Sequence, residues 1–270
     1  MKYSLIFGCL LFGAIFQSSC SRAEHPKLRV TGASTVYPIV QMAAEVLTAQ
    51  HNVEVEAHAG GSTRGFEDTI AGRNDMGAMA RELTAEERSQ VVSFPIAYDG
   101  VGIALHSDNP LVDLTTDQLR AIYRKEITNW KDLGGADQEI VVINKAEGHA
   151  TLESFLNHTG LDRRELNVDV VAGDNAQVIR SVTSSAAGIG YVSIGEAIHA
   201  AQIGMPIKLV RLDGIEPSLD RVADHSYPIF RTLYLVSKAE PEGPSKLLLD
   251  FLGGPEGHEI IKRGKYVPLP

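Results

Sequence analysis

The sequence predicts an α/β protein with two open sheets, and two observations carry this prediction. Short apolar segments with alternating side chains take turns with segments whose apolar residues recur at helical spacing, from Lys27 to the end of the chain. Four of the strand-to-helix junctions are rich in glycine, hydroxyl residues or asparagine. Ligands of open α/β sheets bind outside the carboxyl ends of the strands, which is where these four turns would lie.

The first turn, Gly32-Ala33-Ser34-Thr35, joins a strand at 27–31 to a helix at 38–50. The first N–H groups of a helix have no intrahelical partner and sit at the positive end of the helix dipole. The hydroxyls of Ser34 and Thr35 would add donors beside them, so the turn is a candidate anion site. Because Ser and Thr are also preferred caps, a plain N-cap is the alternative interpretation.

The second turn, Gly60-Gly61-Ser62-Thr63-Arg64, again joins a strand to a helix, at 53–58 and 66–71. Its glycines would let backbone N–H groups approach a ligand closely. Two further turns of the same kind follow in the middle of the chain. They lie at 145–151, before a helix at 152–158, and at 173–176, before a helix at 177–184.

The intervening segments complete the alternation. Asp75 opens a short buried strand at 75–79, and two apolar strands at 91–97 and 101–106 flank an expected turn, Tyr98-Asp99-Gly100. A short helix is expected at 198–201 and irregular structure at 214–225. A long apolar strand at 230–237 precedes two closing helices.

The length, composition and net charge of the chain exclude some classes of function. With 270 residues, 44% hydrophobic and 22% charged, the chain can form one large domain or two of medium size. Its formal charge of −9 argues against general affinity for nucleic acid or for anionic membranes. A single small anion, held by local donors, remains compatible with this charge.

The amino terminus is typical of a secretory signal. Lys2 precedes an apolar run at 5–16 and a small-residue segment that ends at Cys20. We therefore expect a signal peptide at 1–19, lipidation of Cys20 and a tether at 20–26, with simple secretion as the alternative. The other cysteine, Cys9, falls in the removable segment, so no internal disulfide is expected.

Five short motifs, in chain order, resemble the phosphate-binding protein of bacterial phosphate ABC transporters. They are Gly32-Ala33-Ser34-Thr35, Gly60-Gly61-Ser62, Asp75-Met76-Gly77, Ile127-Thr128-Asn129-Trp130 and Gly188-Ile189-Gly190-Tyr191-Val192. The resemblance implies a type II periplasmic-binding-protein fold with two lobes joined by two crossing strands, placed at 101–106 and 231–237. Lobe I would comprise 27–103 and 232–270, and lobe II 104–231. It further implies a periplasmic or cell-surface monomer that carries inorganic phosphate to a permease, without cofactor or catalysis.

Carried over by position, Ser34, Thr35, Ser62 and Asp75 match the family's phosphate contacts in the first lobe, and Thr151 matches one in the second. Asp75 is the most informative of them, because a carboxylate in an anion site favours a ligand that has a proton to donate. It would then select phosphate or arsenate over sulfate. The alternative is an Asp75 that caps a turn or pairs with Arg64 or Arg81.

The second-lobe turn departs from the family. Many relatives have an arginine and Gly-Ser-Gly-Thr, where this chain has Lys145 and Gly148-His149-Ala150-Thr151. His149 could donate to the anion, more strongly below its pKa, or could be an exposed cap. The departure leaves the anion's identity open, so another oxyanion or small acid is an alternative ligand.

Arg64, Arg81 and Asn175 are candidate secondary contacts that could equally be surface groups. A lipoprotein that senses phosphate without delivering it is an alternative function. An enzyme is disfavoured, because the serine motifs lack the closing glycine of a nucleophile elbow. The nine histidines show no metal-ligand spacing, so no metal is expected.

Overall fold

The computed structural model of the chain describes residues 25–270. The expected signal peptide, the lipidation site Cys20 and most of the tether lie outside these residues. Among the helices that the structure describes, none combines the length and the apolar character needed to cross a membrane. Within the same range, no three His, Cys, Asp or Glu side chains are grouped so as to hold a metal ion.

Strands and helices alternate as expected. The strands are β1 (Lys27–Gly32), β2 (Glu54–Ala59), β3 (Met76–Met79), β4 (Val92–His106), β5 (Asp113–Leu114), β6 (Val141–Lys145), β7 (Val170–Ala172), β8 (Gly188–Ser193), β9 (Ile207–Leu212), β10 (Phe230–Ser237) and β11 (Val267–Pro268). The helices are α1 (Tyr37–His51), α2 (Ser62–Ile70), α3 (Ala85–Arg88), α4 (Thr116–Tyr123), α5 (Ala150–Thr159), α6 (Asn175–Thr183), α7 (Ile194–Gln202), α8 (Leu219–Ala223), α9 (Gly243–Leu252) and α10 (Pro255–Arg263). Two 3₁₀ helices cover Trp130–Leu133 and Arg163–Glu165.

The two open sheets are joined into one mixed sheet of strand order β2-β1-β3-β10-β4-β8-β6-β7. At one end β1 runs parallel to β2 and β3, and at the other β6 runs parallel to β7 and β8. Between them β10 and β4 form an antiparallel pair. This arrangement is the type II periplasmic-binding-protein fold that the family resemblance implies.

Strand β4 belongs to both halves of the sheet. Its first part pairs with β10, and Val101 to Leu105 pair with β8. Ile96 and Ala97 contribute to the hydrophobic core of the first half, while Val101 and Ile103 contribute to that of the second. Each half thus has a core of its own, and β4 is a direct structural link between them.

The expected turn at Tyr98-Asp99-Gly100 is wrong, because these residues form the middle of β4. Asp99 lies opposite Arg231 of β10 and forms a buried ion pair with it, which explains an acidic residue inside a strand. Gly100 is needed for packing: a Cβ there would come within 2.5 Å of Ile194 and 2.8 Å of Val222.

Two helices also differ from the expectation. Helix α7 begins at Ile194 rather than at 198, since the Ser193 hydroxyl accepts a hydrogen bond from the Glu196 N–H and caps it. The segment at 214–225 is not wholly irregular. It contains α8, which Ser218 caps and which buries Val222.

Candidate anion-binding site

The four polar turns converge at one place. They follow β1, β2, β6 and β7, each at its carboxyl end, and they lead into α1, α2, α5 and α6. Contacts cross between the two halves here. The Thr63 N–H donates to the Gly148 carbonyl over 3.3 Å, and Asn175 Nδ2 donates to Thr35 Oγ1 over 3.2 Å. The two lobes are therefore closed upon one another at the turns.

Three of these four helices begin without a side-chain cap. The N-cap residues of α1, α2 and α5 are Val36, Gly61 and His149, and none of their side chains caps the helix. The first-turn N–H groups of a helix have no acceptor within the helix. Three positive helix ends thus point into one region, which favours an anion there.

Arg231 lies at the floor of the site. Arg231 on β10 lies directly opposite Asp99 on β4. Arg231 Nε and Nη2 donate to Asp99 Oδ2 over 3.1 and 2.8 Å, and Ser193 Oγ donates to Asp99 Oδ1 over 2.8 Å. Burial raises the pKa of Asp99, while the charge and hydrogen bonds of Arg231 oppose that shift. The guanidinium beside it keeps the carboxyl ionised.

The remaining donors of Arg231 connect the two lobes. Its Nη2 donates to Thr35 Oγ1 over 2.9 Å and its Nη1 to Thr151 Oγ1 over 3.0 Å. A hydroxyl has one proton and two lone pairs. Because both threonine oxygens accept from Arg231, each keeps its proton to donate elsewhere. Ser62 is in the same state, since its Oγ accepts from the Ala80 N–H over 3.0 Å.

Lys145 ends β6 and is the first residue of the second-lobe turn. It is 1% exposed, and its Nζ has no hydrogen-bond partner among the described residues. Burial lowers the pKa of Lys145 to about 7, opposed by the negative charges of Glu196 and Asp174. A buried ammonium without a partner is costly unless a negative group approaches it.

Asn175 is the first residue of α6 and is fully buried. Besides Thr35, its Nδ2 contacts Glu196 Oε1, which also accepts from the Tyr266 hydroxyl over 3.4 Å. The other amide atom, Asn175 Oδ1, is buried and has no partner among the described residues. Burial raises the pKa of Glu196 to about 7, although the Asn175 hydrogen bond lowers it.

Three other candidates occupy the turns with fewer contacts. Ser34 is half-buried, at the entrance of α1, and Ala150 is buried as the first residue of α5. His149 is the half-buried N-cap residue of α5, and burial, followed by the charge of Lys145, lowers its pKa. His149 is therefore a neutral donor or acceptor at pH 7.

The structure contradicts the expectation for Asp75. This residue precedes β3 and lies at the amino end of the strand, whereas the four turns lie at carboxyl ends. Its side chain is exposed, and Oδ2 accepts from the Arg29 N–H over 2.6 Å. Asp75 therefore pairs with neither Arg64 nor Arg81, but caps the neighbouring strand.

Arg64 lies over the second turn, where a Cβ at Gly60 would come within 2.6 Å of its Cδ. Its side chain is 58% exposed, and its Nε pairs with Asp68 Oδ2 over 3.4 Å within α2. Arg81 donates to both oxygens of Glu87, over 2.7 Å each, and its Nε lies 3.0 Å from Glu153 Oε2 in α5. Arg81 thus forms an ion pair across the two lobes, without a contact to the buried cluster.

Sequence reasoning missed Arg231, Asp99 and Glu196 as site residues. The signal available for the first two was a charged residue within each of two otherwise apolar segments, at 91–106 and 230–237. Such residues are rarely buried unless they are paired. Glu196 gives no comparable signal, because it follows the capping serine of a helix, where an acidic residue is common.

Comparisons with known proteins agree with this geometry. A profile of the PBP superfamily domain matches residues 17–253. The phosphate-binding protein PstS of Bacillus subtilis (strain 168) is 26% identical over 248 residues, which cover 90% of this chain and 80% of that protein. The protein of the same name from Staphylococcus aureus (strain MRSA252) is 28% identical over 254 residues, 88% of this chain and 77% of that one.

Two solved structures are similar throughout. A putative phosphate ABC transporter substrate-binding protein with bound phosphate from Clostridium perfringens superposes with a TM-score of 0.83 at 29% identity, covering 90% of this chain and all of that one. An ABC-type phosphate transport receptor from Vibrio cholerae gives a TM-score of 0.71 at 28% identity, with the same coverage. Since the profile spans most of the sequence and the fold agrees, the chain belongs to the PBP superfamily.

Proposed function

We propose that this protein binds inorganic phosphate between its two lobes and delivers it to an ABC-type permease. The observation that carries the proposal is the buried cluster of donors contributed by both lobes. Arg231 and Lys145 supply positive charge, and Thr35, Ser62 and Thr151 each keep a hydroxyl proton to donate. Similar proteins named as phosphate-binding proteins and phosphate transport receptors support the choice of anion.

Closure would follow from the division of these donors. Thr35 and Ser62 belong to the first lobe, while Lys145, Thr151 and Asn175 belong to the second. In an open form the anion would meet one set only, and closing would bring both sets to it. Because only the closed form satisfies all of them, phosphate would shift the population toward that form.

The lobe boundaries are part of the proposal. We assign 27–103 and 232–270 to lobe I and 104–231 to lobe II. The separate cores support a division within the shared strand β4, between Ala97 and Val101, since Val101 and Ile103 pack into the second core. The hinge would lie in β4 and β10, next to the Asp99–Arg231 pair, so that the ion pair sits where the two lobes bend against one another.

We further propose binding and release without a chemical step, by a monomer outside the cytoplasm that Cys20 anchors to a membrane. Its partners would be phosphate and the permease, with no nucleic acid and no cofactor. Ser34, His149 and Ala150 would border the anion through the first turns of α1 and α5. The starts of α1 and α5, which no N-cap side chain caps, support the contacts through these first turns.

Isothermal titration of the unlipidated, phosphate-stripped protein tests the proposal. We expect one phosphate per chain, no turnover of a phosphate ester, and weak or undetectable binding of sulfate. A competition series with arsenate and small carboxylic acids distinguishes phosphate from other ligands. If phosphate gave no heat of binding and did not compete with any of these ligands, the assignment of the anion would be overturned.

A further inference from the structure

The buried cluster contains two polar atoms of opposite kind that no described residue satisfies. Lys145 Nζ is a donor and Asn175 Oδ1 is an acceptor, and both residues are at most 1% exposed. A buried polar group without a partner is destabilising, because it has lost its hydrogen bonds to water and gained none in return. The two atoms do not bond to each other, so a ligand that satisfies both must itself accept at one point and donate at another.

The orientation of the Asn175 amide follows from its neighbours. Its Nδ2 faces Glu196 Oε1 on one side and Thr35 Oγ1 on the other. Thr35 Oγ1 also accepts from Arg231, so its remaining proton is the one available to a ligand. At pH 8, above the pKa of about 7 of Glu196, a reversed amide would turn Asn175 Oδ1 toward a mostly ionised carboxylate, and two acceptors would repel one another. Glu196 therefore holds the amide so that Oδ1 is the free atom.

No carboxylate oxygen is among the buried side-chain atoms that lack a hydrogen-bond partner in the described residues. Both oxygens of Asp99 are engaged, one by Ser193 and the other by Arg231. Asp174 Oδ1 caps α6 by accepting from the Gln177 N–H over 2.6 Å. Asp75, the acceptor expected from the sequence, lies at the opposite edge of the sheet.

We propose that Asn175 Oδ1 accepts the proton of the bound phosphate, and that Glu196 positions it to do so. The inference rests on the proposed function and goes one step further, since it names the atom that distinguishes a protonated oxyanion from one without a proton. The ligand HPO₄²⁻ would accept from Lys145 and donate to Asn175. Sulfate carries the same charge but would leave Asn175 Oδ1 unsatisfied and facing a negative oxygen.

The test uses three dianions at pH 8: phosphate, sulfate and monofluorophosphate. In monofluorophosphate a fluorine replaces the hydroxyl of HPO₄²⁻, so charge and tetrahedral shape are kept and the proton is lost. We expect wild-type protein to prefer phosphate over monofluorophosphate by about tenfold or more, the size of one unsatisfied buried acceptor. Equal binding of the two would overturn the inference while leaving the proposed function intact.

Two variants locate the effect at Asn175. Asn175→Leu keeps the side-chain shape and removes the acceptor, so the preference for phosphate over monofluorophosphate should fall below about threefold. In Asn175→Asp one carboxyl oxygen would face Glu196 Oε1 and share a proton with it, while the other remains an acceptor with part of a negative charge. Sulfate and monofluorophosphate should therefore bind still more weakly relative to phosphate. The preference between anions is the quantity compared, because it cancels losses that affect all three alike.

The matched control is Asn157→Leu, an exposed position on α5 that should leave every preference unchanged. An unchanged preference in Asn175→Leu would overturn the role of this residue. If Asn175→Leu does not fold, Asn175→Asp alone tests the role of this residue. Sulfate binding that is as strong relative to phosphate as in wild type would then overturn that role. Failure of wild-type protein to bind any of the three anions would instead overturn the proposed function.

Discussion

The two lobes contribute different kinds of chemical groups to the same site. In the first lobe the turns supply backbone N–H groups and the neutral hydroxyls of Thr35 and Ser62, and glycines allow their close approach. A Cβ at Gly32, where φ is 138°, would lie 2.2 Å from the Ala78 carbonyl. The second-lobe turns instead bring buried Lys145 and a carboxamide held by Glu196.

The two lobes therefore differ in what they contribute: the first supplies close-fitting neutral donors, and the second supplies ionisable groups. Burial moves the pKa of both Lys145 and Glu196, which belong to the second lobe, to about 7. We infer that the first lobe fixes the size and position of the anion, while the second decides its charge and protonation.

Arg231→Met should have the largest effect, because it removes the group that joins the two lobes. Loss of its bonds to Thr35 and Thr151 should weaken phosphate binding by about 100-fold or more. It also leaves Asp99 buried without its ion-pair partner, which costs about 3–5 kcal/mol of unfolding free energy. Titration calorimetry and chemical denaturation measure the two losses.

The double variant Asp99→Asn/Arg231→Met separates them. Since it removes the unpaired charge, it should recover much of the stability but none of the binding. Recovery of binding would show that Arg231 acts through the fold alone. Arg164→Met, at a position whose side chain is 90% exposed and pairs with Asp162, is the control and should change neither quantity.

Lys145→Met tests the charge supplied by the second lobe. We expect a loss of about 30-fold in phosphate affinity at pH 6, from the loss of one charged hydrogen bond. The direction of the pH dependence follows from the lowered pKa of Lys145. The unliganded protein loses this charge as the pH rises through about 7. The ratio of wild-type to variant affinity should therefore fall between pH 6 and pH 9.

That ratio cancels the titration of phosphate itself, which both proteins experience. A ratio that stays constant with pH would mean that Lys145 remains charged or lies away from the anion. The stability of the unliganded protein gives a second readout. Its folded form binds fewer protons than the unfolded form between about pH 7 and the ordinary lysine value of 10.5, so Lys145→Met should be more stable than wild type at pH 7. The advantage should shrink as the pH rises toward 10.5.

Two glycine variants compare the shapes of the two lobes directly. Gly61 has φ 91°, and a Cβ there would lie 2.5 Å from the Gly148 carbonyl across the site. Gly148 has φ 80°, yet the nearest atom to its Cβ would be 3.6 Å away. Gly61→Ala should therefore oppose closure and weaken phosphate binding by about tenfold, whereas Gly148→Ala should show backbone strain of about 1 kcal/mol and little else.

Gly72→Ala isolates the strain, since Gly72 has φ 67° and nothing within 4 Å of its Cβ. Small-angle scattering with and without phosphate would show whether Gly61→Ala fails to close. Equal losses of affinity in Gly61→Ala and Gly148→Ala would contradict the view that the first lobe is the one with fixed shape.

These expectations also show how far the sequence alone could lead. Thr35, Ser62, Thr151 and Asn175 were predictable, because carboxyl ends of parallel strands meet at one edge of a sheet. The same rule could have excluded Asp75, since a residue that precedes a strand lies at the other edge.

The Arg231–Asp99 pair, in contrast, required the register of two strands whose residues are 132 positions apart. No local pattern specifies such a pairing. The buried state of Lys145 and the orientation of Asn175 depend on packing between the lobes, which composition and periodicity do not determine. The sequence therefore predicts which turn residues lie together better than it predicts which charged groups are paired or buried between the lobes.

Asp75→Asn is the smallest expected change and the one that separates the structure from the family resemblance. Asp75 is exposed and accepts from the Arg29 N–H, so an amide oxygen can take its place at little cost. The phosphate affinity and the preference for phosphate over sulfate should both stay within about twofold of wild type, a difference of about 0.4 kcal/mol. Competition titrations at pH 8 measure the preference, with Asn175→Asp measured in parallel. If Asp75→Asn lost the preference and Asn175→Asp did not strengthen it, the selecting group would belong to the first lobe, and the division of shape and charge between the lobes would be wrong.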